Sequence, residues 1–324
     1  MGIAFFRILL FLFIFSGSYF SINAQQSERK FVQETNYLLY LPKEYLNDTI
    51  TSWPLLFFLH GSGESGFDIK KVKANGPPEL ADKGKQFPFI IVSPQSEVPS
   101  GWDVEILYRL LKDIKKNYRV DEKRIYMTGL SMGGFGTWQF AMKYPDEFAA
   151  IAPVCGGGDT SNAWKLRNMA VWCFHGAKDD VVPPAGSENM VKAAKRFNEN
   201  VKFTLYPEAN HNSWDITYNN DSLYSWLLKQ IKFNYSEKPV NAALLKTYEG
   251  FYLGPDKDTV QMMVEGNKLI AKPGKETVPL KAAGNNLFFI EANKNMDIRF
   301  LSDKGRTSGF IFMGDRQLLY KKFK

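Results

Sequence analysis

The sequence predicts a two-part chain, in which an α/β part with a doubly wound sheet precedes a small antiparallel β barrel or sandwich. Over residues 30–233, apolar runs alternate with helical patterns. Those runs are apolar throughout, as a parallel sheet covered on both faces requires, and strand–helix alternation is typical of doubly wound sheets. After residue 239, turn signals recur at near-even spacing, which indicates short antiparallel strands.

The first part contains strand-like and helix-like segments in the order expected of such a sheet. The strand-like segments are residues 36–41, 55–59, 89–92, 125–128, 149–154, 170–174 and 203–206. The helix-like segments are residues 104–117, 135–144, 186–198 and 222–232. Only residues 156–169 separate the fifth and sixth strands, which is too few for a cap domain. We therefore expect one buried core with an open site at its edge.

The chain divides into three predicted segments. Residues 1–24 have the features of a signal peptide, with an apolar run at residues 8–15 and a cleavage-site pattern ending at Ala24. That run is shorter than the roughly 20 residues of a spanning helix, although a retained N-terminal anchor is the alternative. Residues 25–238 then hold the sheet and residues 239–324 the β-rich part. The mature protein is expected to be secreted or periplasmic, without a membrane span.

The most informative motif is Gly129-Leu130-Ser131-Met132-Gly133, which fits the pattern G-x-S-x-G. A strand-like run precedes it and a helix-like run follows it. In that context the glycines allow a strand to turn abruptly into a helix, with the serine strained at the apex. The helix N-terminus behind the serine presents free N–H groups to developing negative charge. The motif predicts that Ser131 is a nucleophile, and the alternative is a simple glycine-rich turn.

A serine nucleophile requires a base, and the chain has only 3 histidines. His60 and His175 end apolar runs, positions that favour bracing a turn at the sheet edge. His211 lies instead in a polar loop between a strand-like and a helix-like segment, from which it can reach a serine. We therefore predict that His211 is the base, and the alternative is an ordinary surface residue.

The acid that orients this base has two candidates, Asp179 and Asp180, which both follow a buried strand. In the pattern His-Gly-x-x-Asp-x-x-Val-Pro, which begins at His175, the fifth residue is Asp179. Asp180 is expected to face solvent or to cap the next helix. The sequence therefore favours Asp179 as the acid.

Several segments together resemble a known family. They are residues 59–66, 89–95, 129–133, 152–157 and the loops of Asp179 and His211. The chain over residues 30–233 resembles the secreted α/β-hydrolase esterases that include feruloyl esterases, polyhydroxybutyrate-depolymerase-like enzymes and predicted peptidases. The resemblance implies an α/β-hydrolase fold without a cap domain and the chain order nucleophile, acid, base. It leaves the substrate open, because this family acts on many acyl and alcohol groups.

The same pattern indicates the groups that would surround a substrate. The backbone N–H of Met132 is one expected oxyanion donor, and the N–H of Ser62 in the glycine-rich loop is the other. Trp102 and Trp214 are candidate substrate-binding residues, because an aromatic acyl or sugar group could stack on them. For Trp214, packing that fixes the loop of His211 is an equal alternative.

No cofactor and no metal are expected, because no cluster of His, Cys, Asp and Glu has metal-ligand spacing and no glycine-rich loop is typical of a nucleotide site. The 2 cysteines, Cys155 and Cys173, lie on consecutive predicted strands. Side-by-side positions in a parallel pair rarely give disulfide geometry, so we expect buried free thiols. A disulfide is the alternative in an exported protein.

The net charge of +7 is concentrated in the β-rich part. From Lys238 onward there are 15 Lys and Arg against 9 Asp and Glu. This surface could hold the protein near an anionic polysaccharide, or it is simply a solvated basic surface without a partner. Its lysines lack the clustered arginines and stacking aromatics of a nucleic-acid reader, so no nucleic acid is expected.

The sequence thus predicts an exported serine carboxylic-ester hydrolase whose substrate is a small-molecule or polysaccharide-linked acyl or feruloyl ester. Two alternatives stay open at this point. One is a serine peptidase with the same three residues, and the other is a non-catalytic binding protein that has kept the fold. The sequence does not specify the oligomeric state.

Overall fold

The structure is a computed structural model that describes residues 34–314 and 316–324. The predicted signal peptide lies outside these residues. Within the described part, no helix is both long enough and apolar enough to cross a bilayer. Residues 35–324 form one compact unit.

The first sheet has seven strands, and it confirms the predicted doubly wound α/β fold. The strands are β1 Tyr37–Tyr40, β2 Trp53–Leu59, β3 Ile90–Pro94, β4 Val120–Leu130, β5 Ala150–Val154, β6 Ala170–Gly176 and β7 Val201–Tyr206. Their order across the sheet is β1-β3-β2-β4-β5-β6-β7. Only β1 runs antiparallel to its neighbour, and the other pairs are parallel.

Helices cover both faces of this sheet. They are α1 Gly76–Asp82, α2 Val104–Asn117, α3 Met132–Lys143, α4 Ala185–Lys195, α5 Trp214–Tyr218 and α6 Asp221–Leu228. One apolar cluster packs α2, α3 and α4 against the sheet. A second cluster packs α1, α5 and α6 against the opposite face. The strands are apolar throughout because they are buried between these two layers.

Some elements lie where the sequence predicted loops. Short 3₁₀ helices span Ile69–Ala74 and Thr160–Leu166, and α1 begins at Gly76 with two prolines in its first turn. Gly76 has φ +72, and a Cβ there would lie 2.6 Å from the ring of Phe58. Burial against the sheet rather than local propensity therefore forms α1, which explains why its sequence is typical of a turn.

The C-terminal part is a closed antiparallel barrel, which decides between the two predicted architectures. After α7 Ala242–Thr247 come β8 Gly250–Leu253, β9 Thr259–Glu265, β10 Lys268–Pro273, β11 Val278–Ala282, β12 Leu287–Ile290, β13 Asn293–Asp303, β14 Arg306–Met313 and β15 Gln317–Lys322. The order around the barrel is β10-β11-β12-β13-β14-β15-β8-β9. Its interior is aromatic, with Tyr252, Phe288, Phe300 and Phe310 almost fully buried.

A buried polar cluster joins the barrel to the sheet part. Asp297 on β13 is fully buried, and its carboxylate accepts hydrogen bonds from Arg167 Nε and Tyr235 Oη, both at 2.5 Å. Asn168 Nδ2 in turn donates to Tyr235 Oη at 2.8 Å. Arg167 and Asn168 lie between β5 and β6, so the Arg167 guanidinium of the sheet part neutralises the buried Asp297 carboxylate of the barrel.

Candidate active site

Ser131 lies at a sharp turn between β4 and α3. Its backbone has φ 51 and ψ −117, a region that residues with a Cβ rarely adopt. The two glycines of the motif are required by close packing. A Cβ on Gly133 would lie 2.0 Å from the carbonyl oxygen of Leu59, and one on Gly129 would lie 2.4 Å from that of Gly133. The strained turn therefore holds the Ser131 side chain out from the sheet edge.

Two further predicted residues come together with Ser131. His211 Nε2 lies 3.0 Å from Ser131 Oγ, and His211 Nδ1 lies 2.8 Å from Asp179 Oδ2. An ionised carboxylate only accepts hydrogen bonds, so Nδ1 carries the proton and Nε2 is free to accept one from the serine hydroxyl. Asp180, the rejected candidate for the acid, is exposed.

Asp179 is held by several donors. Its Oδ1 accepts hydrogen bonds from the backbone N–H groups of Val181 at 3.0 Å and Val182 at 2.8 Å. Burial alone would raise the pKa of this carboxyl, but the hydrogen bond from His211 and those from the backbone outweigh it and lower the pKa. Asp179 is therefore fixed as a carboxylate facing His211.

His175 also contacts Asp179, an arrangement that the sequence did not predict. The His175 ring is fully buried, with Nε2 3.1 Å from Asp179 Oδ2 and 2.9 Å from the Val182 carbonyl oxygen. Both neighbours are acceptors, so Nε2 is a donor. On the other side, Nδ1 lies 2.8 Å from Ser187 Oγ. The four-residue spacing of His175 and Asp179 around a tight turn is the signal that could have indicated the contact.

His60 braces the glycine-rich loop, as its position at a strand end favoured. The N–H of Ser96 donates to His60 Nε2 at 3.0 Å, so Nδ1 carries the proton and donates to the carbonyl oxygen of Gly61 at 2.6 Å. Burial lowers the pKa of His60 to about 4, which keeps its ring neutral.

The two predicted oxyanion donors lie at the starts of helices. Ser62 and Met132 each begin a helix, so their N–H groups have no acceptor within it.

Cys155 contacts Ser131, and this is the second contact at the site that the sequence did not predict. Its Sγ accepts a hydrogen bond from the Ser131 N–H at 3.3 Å, and burial raises the pKa of the thiol to about 12. The ligand atoms of Cys155, Asp179 and His211 lie within 4.8 Å of one another, close enough to chelate a metal. In the structure, all three side chains take part in hydrogen bonds. Neither Cys155 nor Cys173 is in a disulfide, as expected.

Comparison with known proteins identifies the fold of the sheet part. Residues 99–249 match the model of the dienelactone hydrolase family. The crystal structure of a thermostable esterase superposes with a TM-score of 0.53 and 32% identity, over 60% of this chain and 59% of that chain. The sheet part has an α/β-hydrolase fold of the dienelactone hydrolase type.

Curated relatives match the α/β-hydrolase part at lower coverage. The bifunctional acetylxylan esterase/xylanase XynS20E of Neocallimastix patriciarum is 32% identical over 148 residues, which are 43% of this chain and 21% of that protein. The probable feruloyl esterase C of Aspergillus clavatus is 25% identical over 170 residues, which are 51% of this chain and 60% of that protein. The chain thus spans less than two thirds of the length of these relatives.

The two tryptophans of the α/β-hydrolase site differ in their surroundings. Trp102 is 8% exposed, its ring centroid lies 4.7 Å from that of His60, and its Nε1 has no hydrogen-bond partner among the described residues. Trp214 is half-buried and packs edge-to-face against His211, with ring centroids 5.2 Å apart. Both are in contact with a histidine of the site, and their role in substrate binding stays a prediction.

Two apolar side chains close in sequence to the site residues are exposed. Phe135, in the first turn of α3, is 43% exposed, and Val181, two residues after Asp179, is 66% exposed. The segment between β5 and β6 contains only the 3₁₀ helix Thr160–Leu166, so no cap covers the site from there. Exposed apolar side chains beside a nucleophile favour an apolar or aromatic part of a substrate.

Proposed function

We propose that this chain is an exported serine carboxylic-ester hydrolase that acts on acyl or feruloyl esters carried by polysaccharides. The hydrogen-bonded series Ser131–His211–Asp179 is the observation that carries the proposal. Its distances of 3.0 Å and 2.8 Å are those of a nucleophile, its base and the acid that orients the base.

The proposed reaction begins when Ser131 Oγ attacks the ester carbonyl carbon while His211 Nε2 takes the serine proton. The N–H groups of Ser62 and Met132 stabilise the negative charge on the carbonyl oxygen. His211 then returns the proton to the leaving alcohol as the bond between carbonyl carbon and alcohol oxygen breaks. Asp179 holds the imidazole and stabilises its positive charge while Nε2 carries the transferred proton. In the second half, His211 takes a proton from water as the water oxygen attacks the acyl carbon. The proton then passes to Ser131 Oγ as the bond between acyl carbon and Oγ breaks, which releases the acid.

Two observations support the proposed substrate class. The names of the curated relatives specify acetylxylan and feruloyl esters. Phe135 and Val181, exposed and close in sequence to Ser131 and Asp179, offer apolar surface to an aromatic acyl group, and the lack of a cap between β5 and β6 leaves room for an ester on a bulky alcohol. An exported enzyme would meet such polymers outside the cytoplasm.

The proposal is tested with p-nitrophenyl acetate and methyl ferulate as substrates of the full chain. Turnover of both is expected, and Ser131→Ala should lower kcat by at least about a thousandfold without unfolding the chain. Equal rates for the two proteins on both esters would contradict the proposal. A matched pair of ester and amide substrates then measures the preference for the ester.

A further inference from the structure

A series of side-chain contacts connects the glycine-rich loop to the loop of His211 through Asn75. Asn75 Nδ2 donates to Glu64 Oε1 at 2.6 Å, and Asn75 Oδ1 accepts from Trp214 Nε1 at 3.1 Å. The Trp214 ring then packs edge-to-face against the His211 imidazole, with an interplanar angle of 87°. We refer to these contacts as the Glu64–Asn75–Trp214 bridge. None of the three residues takes part in the proposed proton transfer.

The Glu64 end of the bridge is firmly held next to the nucleophile. Glu64 is 8% exposed, and Gln95 Nε2 donates to its backbone carbonyl oxygen at 2.8 Å. A Cβ built on Gly61 would lie 3.3 Å from Glu64 Oε2 and 3.7 Å from Ser131 Cβ, so the carboxyl group lies directly behind the glycine-rich loop. Burial raises the pKa of Glu64, and the hydrogen bond from Asn75 partly offsets it.

The Trp214 end is part of the element that follows the base. Trp214 is the first residue of α5, and Tyr218 at the other end of α5 packs against Phe58 on β2, with ring centroids 5.8 Å apart. Asn75 immediately precedes α1, which packs on the same face of the sheet as α5. The amide of Asn75 therefore connects Glu64, two residues after Ser62, with Trp214, three residues after His211.

We propose that Asn75 is a positioning residue, which sets the distance between the oxyanion donors and the base. The inference rests on the proposed function. Hydrolysis requires the Ser62 N–H to lie at the carbonyl oxygen of the ester while His211 Nε2 lies within reach of the serine and alcohol oxygens of the same ester group. Misplacement by about 1 Å can cost about a hundredfold in rate. These two groups come from segments far apart in sequence. The bridge is the set of hydrogen bonds that connects those segments beside the nucleophile.

The test compares bridge variants of the full chain on p-nitrophenyl acetate. Asn75→Ala should lower kcat about ten- to a hundredfold and change KM by less than about twofold, because alignment rather than ground-state binding is lost. Glu64→Gln keeps the acceptor for Asn75 and should retain at least about half of kcat, whereas Glu64→Ala should resemble Asn75→Ala. The kcat of the double variant Asn75→Ala/Trp214→Phe should lie within about twofold of that of Asn75→Ala, because both changes break the same connection between the two loops.

The matched control is Asn117→Ala at the end of α2, where the amide donates to Asp113 at 2.9 Å on the surface. It should leave kcat unchanged. Amide hydrogen exchange gives a readout that needs no turnover: Asn75→Ala should raise exchange in residues 62–66 and 211–215 together. An inactive wild-type chain would count against the proposed function alone. Unchanged exchange in either segment, or multiplicative losses in the double variant, would overturn the role of Asn75.

Discussion

His175 shares the Asp179 carboxylate with His211. The fully buried His175 ring approaches Asp179 Oδ2 at 3.1 Å, and the partly exposed His211 ring approaches the same oxygen at 2.8 Å. One carboxylate oxygen therefore accepts from two imidazoles that have different surroundings. The two histidines should differ correspondingly in what their removal costs.

Replacing His175 by alanine should destabilise the fold, because it removes a buried hydrogen-bond partner from both Ser187 Oγ and the Val182 carbonyl oxygen. The expected loss in the free energy of unfolding is about 1–3 kcal/mol. Urea denaturation measures it. His211→Ala is the matched comparison and should abolish ester turnover with a smaller loss of stability. Equal stability losses in the two variants would contradict this division of roles.

Replacing Asp179 by asparagine should lower kcat by about 10⁴, because the amide no longer holds His211 in the required tautomer. The adjacent, exposed Asp180 provides the control, since Asp180→Asn should leave kcat within about twofold of wild type. Ester kinetics at neutral pH measure both. A similar loss in the two variants would argue against Asp179 as the acid.

Asp179 should also contribute to the pH dependence of stability. Its pKa is lowered in the folded chain, so the carboxylate stabilises the fold above the unfolded-state pKa of about 3.9. This contribution is lost as the pH falls through the folded-state pKa. The difference in unfolding free energy between wild type and Asp179→Asn should therefore shrink below about pH 4. Urea unfolding at a series of pH values checks it, and a gap that widens towards acid would contradict it.

The two thiols should be unreactive in the folded protein. Burial raises the pKa of both Cys155 and Cys173 to about 12, so neither is a thiolate near neutral pH. Iodoacetamide should add no label to the native chain and two labels after unfolding without reductant, as counted by mass spectrometry. If the unfolded chain takes up label only after reduction, the cysteines are paired.

The ion pair at the barrel junction should be costly to break. Asp297→Ala leaves the Arg167 guanidinium, whose side chain is 7% exposed, without its carboxylate. The expected loss in unfolding free energy is about 3–5 kcal/mol. Asp303→Ala, an exposed acid at the end of the same strand, should stay within about 0.5 kcal/mol of wild type. Equal stability of Asp297→Ala and wild type would show that the cluster contributes nothing net.

The sequence predicted the sheet well because its strands are buried on both faces and are apolar from end to end. The turn at Ser131 and the grouping with Asp179 and His211 were also predictable, because each follows a strand of that sheet. The contact of Asn75 with Trp214 was not, because it joins positions 139 residues apart that carry no periodic signal. The same holds for Arg167 and Asp297, which are 130 residues apart.

The position of Arg167 limits what else this fold can carry. Arg167 lies between β5 and β6, where many α/β-hydrolases carry a cap, and it is bonded to Asp297 of the barrel. An insertion that displaced Arg167 would break its 2.5 Å ion pair and leave the buried Asp297 carboxylate with the longer contact to Arg299 Nε, at 3.4 Å. A descendant that acquired a lid at this point would loosen its barrel. A lid and a firmly held barrel would therefore compete for the same segment of this chain.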